Sequence, residues 1–254
     1  MARALAVRFG DDPEIVVSLQ PLNPDAPEKD RVQLERRCHT QGLDVLLFVA
    51  PKHYKEHQEM VATLRHSVNV ICLFDRPEEG FMPDCGWVIS DEIKGHAMAM
   101  RHLVDIGCRE ILLITHGGAT HLEECCLEAA GRTTVHVHLD SPSHDGYAEG
   151  VADCIRRHPG IDGIFGFGDW RIATMLPALR KMACKIPHNI ALVGYGDTPW
   201  SSVLDVPLTS VNSRPKELAE AAYDMVVREA FGERHVISPK LVIRNSTADF
   251  GTTL

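Results

Sequence analysis

The 254-residue sequence lacks any apolar run near the roughly 20 residues that a membrane-crossing helix needs. Its opening, MARALAVRFGDDPE, has an arginine but no apolar core and no small-residue cleavage site of the kind that marks a secretory leader. Cysteine occurs eight times, at Cys38, Cys72, Cys85, Cys108, Cys125, Cys126, Cys154 and Cys184, yet never as Cys-x-x-Cys. Scattered cysteines without a leader are expected to be reduced thiols in a cytoplasm. Basic residues form nothing larger than pairs such as Arg36-Arg37 and Arg156-Arg157, and the net charge is −9. Gripping duplex DNA takes several convergent cations, so this chain alone is not expected to do so. Gly-x-Ser-x-Gly, His-Glu-x-x-His and the Walker loop are missing, and the glycine-rich turns fall short of a dinucleotide fingerprint. Neither an enzyme nor a bound cofactor is therefore expected.

The remaining composition is that of a globular protein, with 44% hydrophobic and 24% charged residues. At this length it suffices for one large or two modest packed units. Apolar runs of strand length alternate with segments of helical spacing, which argues for an α/β fold with parallel sheets. The clearest stretch runs from Ile161 to Pro215. IDGIFGF is a strand-length run, and Ile172, Met175, Leu176, Leu179 and Met182 then fall on one helical face. NIALVGYG follows Pro187 as a second strand, giving a βαβ unit with a right-handed crossover.

Elsewhere LDVLLFVAP, NVICLFD, WVIS, REILLITHGG, TVHVHLD and KLVIRNST read as strands. RVQLERRCHTQG, KHYKEHQEMVATLRHS, DEIKGHAMAMRHLVDIGC, HLEECCLEAAG, HDGYAEGVADCIRRHPG and ELAEAAYDMVVREAFG read as helices. ARALAVRF fits either the last turns of a helix or a strand. The stop signal Gly10-Asp11-Asp12-Pro13 favours the helix, with EIVVSLQ as the strand after it.

Both strands of the βαβ unit end alike, as Gly166-Phe167-Gly168-Asp169 and Gly194-Tyr195-Gly196-Asp197. In open parallel sheets, ligands gather beyond the carboxyl ends of the strands. There a glycine lets backbone come close, and an aspartate caps the next helix or accepts hydrogen bonds from a ligand. Gly-Asp is equally ordinary turn chemistry. Trp170 and Trp200 follow these turns, either to stack on a sugar or heterocycle or to cover the turn as structure. His53 with His57, and His136 with His138 near Asp140, His144 and Asp145, are the pairs to check for metal. Lys52 and Lys55 oppose a cation at the first, and an exposed polar face explains the second, so no metal is expected.

The residues "DGIF…GDW…A…LPALRK…IPHNIALVGYGDTPW…PLTSV", continuing through VNSRPKELAEAAYDMVV to KLVIRNST and preceded by VISDEIKGHAMAMRHLVDIGCREILLIT, resemble the effector-binding domain of the lactose/galactose repressor family of bacterial transcription regulators. The resemblance covers about four fifths of the chain. It implies the periplasmic-binding-protein-like fold: two doubly wound parallel-sheet subdomains joined by three crossovers and closing over a small molecule. The N-terminal subdomain would take residues 1–108 and 208–232, and the C-terminal one 109–207 and 233–254. The N-terminal subdomain's first strand would precede Met1, making that subdomain the weaker half and leaving strand edges open to self-association or a partner chain. Ligand contacts carried over by motif are Asp75 and Arg76, Asp91, Phe165, Asp169, Gly196 and Asp197, with Trp170 beside them.

Three positions depart from the family pattern. Gly196 stands where an aspartate is common, Gly168 where an asparagine is common, and THLEECCLEAAG lacks the usual Arg-x-x-Gly. The pocket is thus expected to have changed specificity or lost its ligand. The implied function is a cytoplasmic domain sensing a sugar, sugar acid or nucleobase for a transcription regulator, without its own helix-turn-helix. Its partners would be the small-molecule effector and either a second copy or a related full-length regulator. DNA would be reached only through a helix-turn-helix elsewhere, and no membrane is involved. The alternative is a divergent interaction protein that binds no ligand and modulates a full-length relative.

Overall fold

The computed structural model of this chain describes residues 2–15, 32–34, 36–37, 40, 43–49, 62–74, 85–116, 120–140 and 146–250. In chain order, the elements begin with α1 (Ala2–Gly10), β1 (Val45–Val49), β2 (Asn69–Phe74), β3 (Gly86–Ser90) and α2 (Glu92–Asp105). There follow β4 (Glu110–His116), α3 (Thr120–Ala130), β5 (Thr134–Asp140), α4 (Tyr147–Arg157), β6 (Gly163–Gly166), α5 (Asp169–Lys181) and β7 (Ala191–Tyr195). The chain then forms a 3-10 turn at Pro199–Ser202, β8 (Thr209–Asn212), α6 (Pro215–Val227), β9 (Arg234–Ile237) and β10 (Lys240–Val242).

Two compact units result, Met1–Asp91 with Arg214–Ile237 and Glu92–Ser213 with Ser238–Leu254. The chain passes between them three times. These boundaries differ from those implied by the resemblance, and packing gives the reason. Helix α2 buries Met100 and Leu103 completely among Ile111, Leu113 and Phe165 of the second unit. Each such side chain contributes about 1.5–3 kcal/mol by leaving water, so the boundary falls before α2 and not at residue 108. Strand β9 pairs with β3, which moves the last boundary from 232 to beyond Ile237. Strand β8 pairs with β7 and stays in the second unit, so the middle boundary follows Ser213.

In the first unit, the described strands form a parallel sheet in the order β1-β2-β3-β9. Successive side chains of a strand face opposite ways. Val70 and Cys72 of β2 join Leu34, Phe48 and Leu64, while Ile71 and Leu73 join Leu5 and Phe9 of α1 and Leu218 and Ala222 of α6. Both faces are thus covered, as the unbroken apolar run NVICLF requires. α1 settles the ambiguity over ARALAVRF: Leu5 and Phe9 are buried but Val7 is 59% exposed. That is helical spacing; a strand would put all three on one face. The strand expected at EIVVSLQ has only Glu14 and Ile15 among the described residues.

The second unit has six strands in the order β10-β8-β7-β6-β4-β5, parallel throughout except for the antiparallel β10. In β4, Ile111 and Leu113 face the core shared with α2 and α3, and Leu112 and Ile114 face that shared with α4 and α5. Strand β9 was not foreseen from sequence. It is four residues long, alternately exposed and half-buried, and reads RHVI, too short and polar for a strand signal.

Candidate functional site

The Gly-Asp turns meet at the carboxyl ends of β6 and β7 in the second unit. Gly168, before α5, has φ 128°, and Gly196, after β7, has φ 119°. L-side chains are strained in that region, so both turns depend on glycine. At Gly168 a Cβ would also stand 3.2 Å from the Trp170 indole. An asparagine there would be strained by the backbone of this turn.

Asp169 opens α5 and is 3% exposed. Its Oδ2 accepts hydrogen bonds from the Thr198 backbone N–H at 2.7 Å, the Thr198 hydroxyl at 2.8 Å and the Ser201 hydroxyl at 2.6 Å. Its Oδ1 accepts one from the Ser210 hydroxyl at 2.5 Å. One carboxylate therefore ties the start of α5 to the turn after β7 and to β8. Bonds to an ionised acceptor are worth about 1.5–3 kcal/mol each, and low local dielectric strengthens them. Gly194 makes room for this arrangement, because a Cβ there would come within 2.3 Å of Oδ1.

Asp197 belongs to a second set. It sits at φ 45°; its Oδ1 accepts from Arg244 Nη2 at 2.6 Å and its Oδ2 from Asn212 Nδ2 at 2.8 Å. Behind this pair, the segment after β10 is bound to the sheet. The Thr209 N–H donates to the Ser246 hydroxyl at 2.8 Å, which in turn donates to the Leu192 carbonyl at 2.6 Å. The Thr209 and Thr247 hydroxyls are 2.7 Å apart, and His102 Nε2 is 2.9 Å from Thr247 Oγ1. Burial holds the His102 imidazole below its ordinary value.

An aromatic group lies under the β7 turn. His96 is buried, stacks on Tyr195 at 4.4 Å between ring centroids and meets Phe167 edge-on at 4.2 Å. Gly95 fits against the Tyr195 ring, 3.0 Å from the position a Cβ would take.

The sequence-predicted residues therefore separate into groups. Phe165 is fully buried in the core and presents nothing at the strand end. Asp169, expected to accept from a ligand, has its oxygens engaged inside the fold. Trp170 is half-buried, with the Arg171 guanidinium 4.3 Å from the centre of its ring. Gly196 and Asp197 are half-buried at the turn. Asp91 is half-buried at the end of β3 in the first unit, where its N–H donates to the Ile237 carbonyl at 3.0 Å. Asp75 and Arg76 lie outside the described residues, as do His53, His57, His144 and Asp145. Thr198, Ser201, Ser210, Asn212 and Arg244 were missed as participants; their only trace was hydroxyl and basic residues within TPWSS, PLTSVN and IRNST.

Little here favours covalent chemistry. Burial pushes the Cys108 thiol up to about 12. The hydrogen bond between Cys72 and Cys85, with Sγ atoms 3.8 Å apart, raises the Cys72 thiol too. Thiols held protonated are poor nucleophiles. His136 stacks on His158, with ring centroids 3.9 Å apart, and His138 faces Tyr147. Among the described residues no three histidine, cysteine or carboxylate side chains are arranged to hold a metal ion, and no helix is long and apolar enough to cross a membrane.

The chain therefore has an α/β architecture of two sheets covered on both faces, joined by three crossings, with polar turns at strand ends. The chain belongs to the periplasmic binding protein-like domain family, whose model matches residues 100–247. Among curated relatives, the HTH-type transcriptional regulator DegA of Bacillus subtilis is 26% identical over 180 residues, 65% of this chain and 53% of DegA. The ribose operon repressor of Halalkalibacterium halodurans is 26% identical over 231 residues, 87% of this chain and 67% of the repressor. The chain thus spans about half the length of DegA. A LacI family transcriptional regulator from an Arthrobacter species, solved in complex with lactose, has the same fold at TM-score 0.76 and 19% identity, covering 97% of this chain and 93% of that one.

Proposed function

We propose that this chain is the small-molecule-sensing domain of a transcription regulator of the lactose/galactose repressor type, with a sugar, sugar acid or nucleobase as effector. The observation that carries the reading is the braced pair of Gly-Asp turns at the carboxyl ends of β6 and β7. Asp169 positions them from inside, and Trp170 and the Gly196-Asp197 backbone are what they offer a ligand. By the resemblance alone, Asp75, Arg76 and Asp91 remain candidate ligand contacts. The ribose operon repressor and the lactose-bound neighbour support a sugar-sized ligand. With a net charge of −9, reading DNA falls to a helix-turn-helix outside these residues, on this protein or a partner regulator. A ligand that prefers one conformation would act by shifting populations.

A thermal-shift screen of monosaccharides, sugar acids and nucleobases tests this reading, because a ligand that binds only the folded state stabilises it by about 2.7 kcal/mol at 100 times its Kd. A compound that raises the melting temperature of the wild type but not of Trp170→Ala supports it. One observation favours the second reading, an interaction protein without a ligand. Both strand-end aspartates are spent on internal bonds, and Gly196 contributes no side chain. A screen in which no compound of the three classes stabilises the protein would favour that alternative.

A further inference from the structure

We propose that the groove at the amino ends of β7 and β8 is a second ligand site, one that takes a small organic cation: an amine or guanidinium group on a short hydrocarbon stem. It lies at the end of the second unit's sheet away from the Gly-Asp turns. The segments entering β7 and β8 form two of its walls. Strand β10 runs antiparallel to β8, with Val242 beside Ser210, so the segment leaving β10 returns to the same end and forms the third. The cavity between them measures about 470 Å³, within the roughly 300–1,000 Å³ of small-molecule sites.

The walls are held by the fold itself. The Ser246 N–H donates to the Pro207 carbonyl at 2.9 Å, and the Leu192 N–H to the Ser246 carbonyl at 2.9 Å. The Asn189 N–H donates to the Lys185 carbonyl at 2.7 Å, and the Asn189 side chain accepts from the Lys185 N–H at 2.9 Å. A site fixed before its ligand arrives loses little entropy on binding.

The lining divides by chemistry. Ile186, Pro187, Val206 and Pro207 are half-buried and give it apolar surface. Asp205 and Asp249 are exposed and add two carboxylates, and the lining includes no lysine or arginine. Two carboxylates repel an anion such as a sugar acid and attract a cation. The planar fork of a guanidinium pairs with a carboxylate through two hydrogen bonds. A methylene stem can lie along the prolines, as the stems of lysine and arginine lie on apolar surface. The protein itself supplies an example of the pairing, since Arg180 of α5 forms an exposed ion pair with Asp205. Such a pair is weak, so it yields to a ligand that also covers apolar surface. The groove is open to water, which sets the expected affinity at about millimolar.

Titration of the chain with agmatine, followed through its backbone amide signals by NMR, tests the assignment, with succinate as the anionic control. Saturable shifts are expected at His188, Val206, Asn245 and Asp249 with agmatine and not with succinate, while the amides of Gly168 and Gly196 stay unmoved. Asp205→Asn combined with Asp249→Asn should weaken agmatine binding about tenfold or more. Asparagine tolerates positive φ, which suits position 249, where φ is 59°. The same charge change at two exposed positions of α3, Glu124→Gln with Glu128→Gln, should leave the affinity as it was. If the groove variant does not fold, Arg180→Ala takes its place: it releases Asp205 and should tighten binding. Absence of saturable binding at millimolar agmatine would overturn the proposal. So would shifts centred elsewhere, equal binding of succinate, an α3 variant that loses as much affinity as the groove variant, or Arg180→Ala binding no more tightly than the wild type.

Discussion

The two units use the same backbone plan but fasten it differently. In the second, buried side chains cross-link elements far apart in sequence: Asp169 joins α5, the 198–201 turn and β8, and Ser246 joins β7 and β8. In the first, the described ion pairs lie at the surface. Arg8 pairs with Glu220 and lies 3.3 Å from the centre of the Tyr223 ring, and the Tyr223 hydroxyl donates to Asp12 at 2.7 Å. Arg228 pairs with Glu233 at 2.8 Å. Exposed ion pairs contribute little because water and entropy oppose them, whereas a buried acceptor serving several donors is costly to remove. The second unit is therefore braced at its strand ends by buried polar side chains, while the described residues of the first are held mainly by their apolar faces.

The sharpest way to break this contrast is to remove one acceptor from each unit. Asp169→Ala should lower the opening free energy of the second unit by about 3 kcal/mol or more, since several buried donors lose their partner. Glu220→Ala should cost the first unit far less, because its ion pair with Arg8 is solvent-exposed. Amide exchange resolves the two units, and equal losses would show that the bracing is no different. A pair of glycines gives a finer test. Gly194→Ala drives a Cβ into Asp169 and to 2.9 Å from Leu208, and should cost about 2–3 kcal/mol. Gly196→Ala meets nothing closer than 3.7 Å and should cost only the backbone strain, about 1–2 kcal/mol. The reverse order in denaturant titrations would contradict the geometry.

Acid should produce the smallest effect, with a different onset in each unit. His102 is harder to protonate in the folded second unit. The unfolded chain then binds more protons, so stability present above about pH 6.5 declines as pH falls through that value. In the first unit, hydrogen bonds from Arg228 and then His235 hold the Glu233 carboxyl at about 2, below its ordinary 4.5. Its contribution is present above pH 4.5 and is lost only as pH falls from there toward about 2. Unit-resolved exchange should show the second unit weakening first, and His102→Gln should remove that early loss. A first unit that weakens at the higher pH would reverse the assignment.

Sequence made the alternation and the βαβ unit at 161–196 legible, because each has a strong local period, whereas only the stop signal after ARALAVRF favoured a helix there. It also marked both Gly-Asp turns. It did not show which way Asp169 points, since the deciding donors Thr198, Ser201 and Ser210 are 29, 32 and 41 residues away. Phe165 was misplaced for a related reason. Its neighbours in sequence end at a turn, but its side chain lies one layer below, against His96 and Phe167. The shifted boundaries depend on which sheet α2 and β9 join, and no local signal carries that choice.

The central claim is that the braced strand ends of the second unit receive a small molecule. Amide exchange with and without a stabilising sugar, sugar acid or nucleobase measures this directly. The account predicts that protection rises at residues 167–171 and 194–201 and stays constant along α4 and at β5. A stabilising ligand that leaves both turns unchanged and protects another region would contradict it.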